Sequence, residues 1–93
     1  MTLKMVTVML ELVFTETAKE QYEALTGKLK RQVDNGLKRI SLNPHSGKPL
    51  HGQLKGIFSE RVSTFRLLYK VFRTRHYVLI LAIQHRKNVH GGH

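Results

Sequence analysis

The sequence has no cysteine and no long hydrophobic run. The absence of cysteine excludes disulfide bonds, cysteine-ligated zinc and catalysis by a thiol. The most apolar stretch, residues 5–14, is interrupted by Thr7 and Glu11 and is shorter than the roughly 20 apolar residues that span a bilayer. Acidic residues follow it, where a signal peptide would have the small residues of a cleavage site. We therefore expect a cytoplasmic protein without a transmembrane helix.

The chain is too short to contain two domains. Its 93 residues leave no room for a second hydrophobic core, and a hydrophobic content of 41% is ordinary for a globular protein. The sequence therefore predicts a single domain over residues 1–93. Two consecutive glycines lie among polar residues at the carboxyl terminus, so we expect a mobile tail from about residue 87 to residue 93.

Acidic residues are scarce, and nearly all of them lie in the first 34 residues. The sequence has 16 lysines and arginines against six acidic residues, a net charge of +10. Residues 1–34 hold five bases and five acids, so residues 35–93 carry the whole excess, with Glu60 as their single acid. Such a segment is typical of proteins that bind polyanions, because lysine and arginine neutralise phosphates and release counterions. The alternative is a basic surface that only faces water.

The motifs of several enzyme classes are missing. The chain has six histidines, but none forms an HExxH pair, and five of the six acids that would complete a metal site lie in residues 1–34. The glycine patterns of nucleotide-binding loops and the Gly-x-Ser-x-Gly turn of hydrolases are also absent. We therefore predict neither a metal ion nor a cofactor.

Periodicity predicts one strand and two helices before residue 41. Apolar residues alternate with others from Val6 to Phe14, which is the period of a β-strand. Thr17 begins a capping box with Glu20 and predicts the start of a helix there, and Gly27 is a suitable place for that helix to end. A second helix, which would form an αα-hairpin with the first, is indicated by apolar residues every three or four positions: Leu29, Val33, Leu37 and Ile40.

Three strands are predicted after a loop. Two prolines and Gly47 make residues 41–49 a loop, and strands are expected at residues 56–62, 65–73 and 77–85. The connections between these strands are short enough for antiparallel hairpins. The last strand is almost continuously apolar, which predicts a central position in the sheet. Phe65 and Tyr69 share an alternating face with apolar residues, which favours the core over base stacking.

Two arginines are expected to face each other across the first hairpin. If Ser63 and Thr64 form a two-residue turn, Val62 pairs with Phe65, and the pair before it joins two cations, Arg61 and Arg66. Like charges at paired positions destabilise a sheet by roughly 0.2–1 kcal/mol, so stability gives no reason for them. A bound phosphate would remove that cost. The alternative is a longer turn that lets the side chains separate into water.

The segment after the last strand concentrates residues suited to RNA cleavage. His85, Arg86, Lys87 and His90 lie within six positions. Arginine binds phosphate through two parallel hydrogen bonds, and histidine exchanges a proton near neutral pH. Cleavage without a metal requires a base for the 2′-hydroxyl, cations for the charge on phosphorus and an acid for the departing 5′-oxygen. The alternative is that His85 is a structural residue at a strand end and that His90 belongs to a solvated tail.

Taken together, these motifs resemble the RelE/ParE toxin superfamily. The resemblance rests on LNP at residues 42–44, PLHG at residues 49–52, RVSTFRLLYKV at residues 61–71 and IQHRKNVH at residues 83–90, and it covers nearly the whole chain. Its most specific element is an Arg-x3-aromatic-Arg-x2-Tyr run followed, about twenty residues later, by an apolar residue and then His-Arg-Lys.

The resemblance implies an α+β fold with the order β-α-α-β-β-β. Four antiparallel strands would carry a two-helix hairpin on one face and a basic concave surface on the other. RelE-like members enter the ribosomal A site and cut mRNA by attack of the 2′-hydroxyl, whereas ParE-like members poison DNA gyrase. Both are neutralised by a cognate antitoxin. We expect a ribosome-dependent mRNA endoribonuclease, with gyrase inhibition and a non-catalytic nucleic-acid-binding module as the alternatives.

The resemblance also assigns roles to single residues. Arg66 matches a nearly constant strand arginine of the superfamily, and Arg61 matches a basic residue five positions earlier. Arg86 matches a phosphate-binding arginine near the carboxyl terminus. His90 occupies the place of a catalytic tyrosine that some members replace with histidine.

The sequence departs from the superfamily in the residues that would supply positive charge to the RNA site and transfer protons during cleavage. RelE has two basic residues where this sequence has Ile57 and Ser59, which argues against a lysine as the general base. Lys48 or Lys55 would then supply charge from the loop, or His85 and His90 would act as acid and base. The predicted catalytic residues are Arg61, Arg66, His85, Arg86 and His90, and the predicted RNA-binding residues are Lys48, Lys55, Arg61 and Lys87.

Overall fold

The computed structural model describes residues 9–85, and neither of their two helices is long and apolar enough to cross a membrane. The start of the predicted first strand, the predicted tail and three predicted site residues, Arg86, Lys87 and His90, lie outside the described residues. The elements are β1 (Glu11–Phe14), α1 (Glu16–Glu23), α2 (Gly27–Leu42), β2 (Lys48–Pro49), one 3-10 turn (Gly52–Leu54), β3 (Phe58–Val62), β4 (Phe65–Phe72) and β5 (Tyr77–His85).

Helix α1 begins two residues earlier than its capping box predicts. Thr15 is the N-cap, and its hydroxyl oxygen accepts a hydrogen bond from the Ala18 backbone N–H at 3.1 Å. The same hydroxyl donates to the Leu81 carbonyl of β5 at 2.9 Å. Thr17 is therefore inside the helix, and the prediction of its start was wrong. Thr15 is favoured over Thr17 as the N-cap, because its one side chain both caps the helix and bonds it to the sheet.

The stripe predicted for α2 is mostly confirmed. Val33, Leu37 and Ile40 are buried, whereas Leu29 in the first turn is 42% exposed. Gly36 lies on the buried side, and a Cβ atom there would overlap the Val62 side chain of β3. The missing side chain thus lets the helix pack closely on the sheet.

The sheet has five strands and is mixed, in the order β1-β5-β4-β3-β2. The α+β class and the placement of two helices before three strands are confirmed, but two details of the expected four-stranded antiparallel sheet are wrong. Strand β1 runs parallel to β5, and the two helices carry the chain from β1 at one edge of the sheet to β2 at the opposite edge. The fifth strand is β2, two residues of the predicted loop that pair with β3. Strand β5 is interior, and β4 occupies the centre.

Both helices pack on one face of the sheet. Side chains at paired positions of β3, β4 and β5 point to this face and meet the buried residues of α1 and α2 in one core. Each fully buried apolar side chain contributes roughly 1.5–3 kcal/mol, so this face accounts for most of the stability. The core consists of Ala18, Val33, Leu37, Ile40, Val62, Phe65, Leu67, Tyr69, Val78, Ile80 and Ile83. The prediction that Phe65 and Tyr69 are core residues is confirmed.

A buried tyrosine holds the loop between α2 and β2 against the sheet. The Tyr69 hydroxyl donates to the Pro44 carbonyl at 2.9 Å and accepts from the Gly47 N–H at 3.1 Å. Burial raises the pKa of this phenol, so it stays protonated and able to donate. A Cβ atom at Gly47 would overlap the same hydroxyl, so glycine is required for this close approach. Tyr69 therefore fixes the position at which the chain enters β2.

The first prediction concerns this bond. We expect Tyr69→Phe to lower the free energy of unfolding by about 1–3 kcal/mol, because the Gly47 N–H is left buried without a partner. Urea denaturation followed by circular dichroism measures the change. Tyr77→Phe is the matched control, since within residues 9–85 no hydrogen bond of the Tyr77 hydroxyl is present. Equal effects of the two substitutions would contradict the role given to Tyr69.

Candidate functional site

The β3–β4 hairpin places two arginines side by side. Ser63 and Thr64 form the turn, Val62 pairs with Phe65, and Arg61 pairs with Arg66, as the two-residue turn predicts. Ser63 adopts a left-handed conformation with φ of 54°, which a non-glycine residue rarely does. Both arginines alternate with core residues, so they lie on the face of the sheet opposite the helices. On this face a row of side chains crosses the strands from Arg61 through Arg66 to Gln84 of β5, which pairs with Arg66. We call it the arginine row.

A pocket of about 560 Å³ opens beside this pair. Strand β2 pairs only with Ser59 and Phe58, so the edge of β3 is free beyond Ser59, and the pocket lies along this free edge. Side chains from the β2 loop, β3 and β4 converge there. Its lining consists of Ser46, Lys48, Leu50, Ser59, Glu60, Arg61 and Arg66.

The charges in the pocket leave both arginines without an acidic partner. Among residues 9–85 no carboxylate lies within ion-pair distance of Arg61 or Arg66. Glu60 also lines the pocket, but both its oxygens have other partners: one accepts from Arg39 Nε at 3.2 Å and the other from Ser46 Oγ at 3.2 Å. The half-buried Arg66 and the exposed Arg61 therefore form an uncompensated pair of cations. Such a pair is suited to bind a phosphate with several charge-assisted hydrogen bonds.

Lys48 adds a third cation to this pocket. It pairs directly with Ser59 across β2 and β3, and it is exposed. Ser59 is one of the positions at which the sequence lacks the basic residues of RelE. The neighbouring strand thus brings a lysine beside that position. The RNA-binding role of Lys48 stays a prediction. Lys55 follows the 3-10 turn and does not line the pocket.

His85 lies on the other side of β5 from the arginine row. It is paired with Phe65, and its ring meets the Phe65 ring edge-on, with centroids 5.2 Å apart. Because Phe65 belongs to the core, the imidazole is on the helix side of the sheet, whereas Arg66 and Gln84 face away from it. The structure therefore does not bring His85 together with Arg61 and Arg66. Its predicted catalytic role stays a prediction.

The structure adds residues that the sequence did not single out. Ser46 and Ser59 bring hydroxyl groups to the pocket, and Glu60 holds Ser46 in place. Ser46 and Ser59 are 13 residues apart in the sequence, and they reach the same pocket through the short pairing of β2 with β3. Nothing in the local sequence indicates that pairing. One signal was available in the sequence: a tyrosine on a core strand needs a partner for its hydroxyl, and the glycine-containing loop supplies it.

Within residues 9–85 no three histidine, aspartate or glutamate side chains are grouped as metal ligands.

A family model, a protein relative and a solved structure that match this chain all concern toxins or toxin-antitoxin complexes. The model of a family described as ParE toxin of the type II toxin-antitoxin system parDE matches residues 12–90. Toxin RelG of Mycobacterium tuberculosis is 35% identical over 79 residues, which cover 83% of this chain and 91% of that protein. The toxin-antitoxin complex RelBE2 of the same organism contains a chain with 34% identity and a TM-score of 0.77, with 87% of this chain and 95% of that chain covered.

A more distant structure shares the fold alone. A chain of the intact E. coli RelBE toxin-antitoxin complex is 17% identical, with a TM-score of 0.71, and the match covers 82% of this chain and 95% of that one. The family match extends over most of the sequence and includes the β3–β4 hairpin with its arginine pair. The chain therefore belongs to the RelE/ParE superfamily and is a toxin of the type II toxin-antitoxin class.

Proposed function

We propose that this toxin is an endoribonuclease that cleaves mRNA in the ribosomal A site. The observation that carries the proposal is the uncompensated Arg61 and Arg66 pair beside Lys48, in a pocket that has room for a nucleotide. A pair of like charges costs stability in the free protein, and a phosphate diester offsets that cost when it binds. Relatedness to Toxin RelG and to the chain of the RelBE2 complex supports a RelE-like activity.

The proposed reaction needs only protein groups. A base removes the proton of the 2′-hydroxyl, its oxygen attacks phosphorus, and the bond from phosphorus to the 5′-oxygen breaks as an acid protonates that oxygen. The products are a 2′,3′-cyclic phosphate and a free 5′-hydroxyl. Arg61 and Arg66 stabilise the negative charge that grows on the phosphoryl oxygens in the transition state, and Lys48 contributes from the edge strand. Arg86 and Lys87 lie outside the described residues. Arg86 is proposed to stabilise the same charge on phosphorus, and Lys87 to bind a flanking phosphate.

His90 is the proposed proton carrier. It also lies outside the described residues, so the proposal rests on the resemblance of its position to the acid/base residue of the superfamily. The contact of His85 with Phe65 supports this choice, because that ring is on the helix side of β5. Under this proposal His85 acts by supporting the strand end from which the carboxyl-terminal residues continue.

A cognate antitoxin is the proposed protein partner. The M. tuberculosis and E. coli relatives were solved as toxin-antitoxin complexes. The excess of positive charge on residues 35–93 favours an acidic partner that covers the pocket. A ribosomal target also places the proposed activity in the cytoplasm.

Gyrase inhibition is the second candidate. It is favoured by the match to the ParE toxin model, because ParE-like members act on DNA gyrase in the resemblance described above. The two activities leave different products: new mRNA ends in the first case, and gyrase-dependent DNA breaks in the second.

The second prediction tests the proposed function at Arg66. We expect the purified chain to stop translation in a reconstituted system and to create new 5′ ends within the codon in the A site. Arg66→Ala should lower the cleavage rate by about 10²-fold or more, the effect of losing one donor to a developing oxyanion. Mapping of mRNA ends by primer extension measures this, and circular dichroism checks that the variant is folded.

Arg75→Ala is the matched control, because it removes the same charge from the exposed β4–β5 turn, away from the pocket. Addition of the product of the adjacent gene should restore translation if that product is the antitoxin. Intact mRNA together with gyrase-dependent DNA breaks would overturn the nuclease proposal in favour of the second candidate.

The third prediction assigns the proton transfer. We expect His90→Ala to lower the single-turnover cleavage rate by roughly 10²-fold and to remove one limb of the pH-rate profile, because a general acid or base contributes about that factor. His85→Ala should keep the shape of the profile, since its proposed role is structural. A profile altered by His85→Ala and unchanged by His90→Ala would reverse the assignment.

A further inference from the structure

A second cleft lies on the helix side of the arginine pair. It has a volume of about 350 Å³ and opens between α2 and the β3–β4 turn. Arg61 lines both this cleft and the pocket of the candidate site, so the two spaces adjoin at this residue near the end of β3. The cleft is lined by Gln32, Asn35, Arg39, Arg61, Val62 and Ser63.

The lining of this cleft consists mostly of hydrogen-bond donors that have no partner. Arg39 uses only Nε, which donates to Glu60, and its two terminal amino groups bond to nothing else within the described part of the chain. The side chains of Gln32 and Asn35 likewise make no hydrogen bond among residues 9–85. No carboxylate lines the cleft. The terminal amino groups of an arginine and the side-chain amides, which all lack a hydrogen-bond partner within residues 9–85, are suited to bind phosphate and sugar oxygens.

Glu60 fixes the guanidinium of Arg39 at this place. Its side chain is 12% exposed, whereas that of Arg39 is 52% exposed, so the carboxylate is the anchored partner and the arginine reaches over it. The other oxygen of Glu60 holds Ser46, which lines the candidate site. A single carboxylate thus holds one side chain beside each of the two spaces, Arg39 at the cleft and Ser46 at the candidate site.

We propose that the bound RNA strand continues from the candidate site over Arg61 into this cleft, where Arg39 binds the phosphate of a neighbouring nucleotide. Gln32 and Asn35 donate to the same phosphate or to its ribose. Val62 is the only apolar residue of the lining, so the cleft offers no stacking surface for a base and recognition is independent of sequence. The proposal rests on the proposed function, since it extends the same RNA path.

The fourth prediction compares two lengths of RNA. The longer oligonucleotide, about 12 nucleotides, is long enough to reach both spaces, whereas one of about four nucleotides fills only the candidate site. We expect Arg39→Ala to reduce the ratio of the two affinities, long over short, by about tenfold, as for the loss of one charge-assisted contact. The slope of log affinity against log salt for the long RNA should fall by about one. Fluorescence anisotropy with labelled single-stranded RNA measures both quantities.

Matched variants separate the possible outcomes. Arg31→Ala removes the same charge from an exposed position of α2 outside the cleft, and it should leave the ratio unchanged. A double variant, Gln32→Ala with Asn35→Ala, removes donors without a change of charge or of the Glu60 ion pair, and it should also lower the ratio. If Arg39→Ala and the double variant keep the wild-type ratio while the wild type binds and cleaves RNA, the cleft is not part of the path and only this inference fails. If the wild type neither binds these oligonucleotides nor cleaves mRNA on the ribosome, the proposed function itself fails.

Discussion

The register of β3 against β4 determines where the charged residues of this toxin meet. A two-residue turn at Ser63 and Thr64 leaves one way to pair the strands, and that pairing sets Arg61 across from Arg66. The arrangement has two costs, a left-handed serine in the turn and two like charges at facing positions. Both are expected at a functional site, where local strain and repulsion are offset by the ligand and by a well-packed core. The core behind the hairpin, with Phe65 and Tyr69 on the same strand, supplies that stability.

The single acid of the carboxyl-terminal part decides which cations are free. Glu60 is the single acid of residues 35–93, and both its oxygens are occupied by Arg39 and Ser46. The open face of the hairpin consequently keeps its positive charge, and the loop that carries Ser46 is held in place a second time by Tyr69. One carboxylate and one buried phenol thus shape a basic pocket without neutralising it. This division of charge connects the fold to the binding of a polyanion.

The sequence predicts the features that depend on local periodicity and on the length of a turn. It misses those that depend on pairing between residues far apart in the sequence. The arginine pair follows from the length of one turn, and the α2 stripe follows from helical period. Strand β2 has no such signal, because two residues, Lys48 and Pro49, become a strand only through backbone bonds to β3. The start of α1 was misplaced for a similar reason, since Thr15 is selected by its bond to distant Leu81. The side of β5 on which His85 lies depends on the sheet register and on Phe65, which the His-Arg-Lys motif does not encode.

We propose that Arg61 and Arg66 form an anion site in which the bound ligand relieves the repulsion between the two cations. The most direct test is the thermal stability of wild type and Arg66→Met, with and without millimolar pyrophosphate at constant ionic strength. Methionine keeps the apolar stem of the side chain and removes the charge. We expect the variant to be at least as stable as wild type without the anion, and pyrophosphate to raise the melting temperature of wild type alone. Equal stabilisation of both proteins, or a variant that is markedly less stable without the anion, would contradict this proposal.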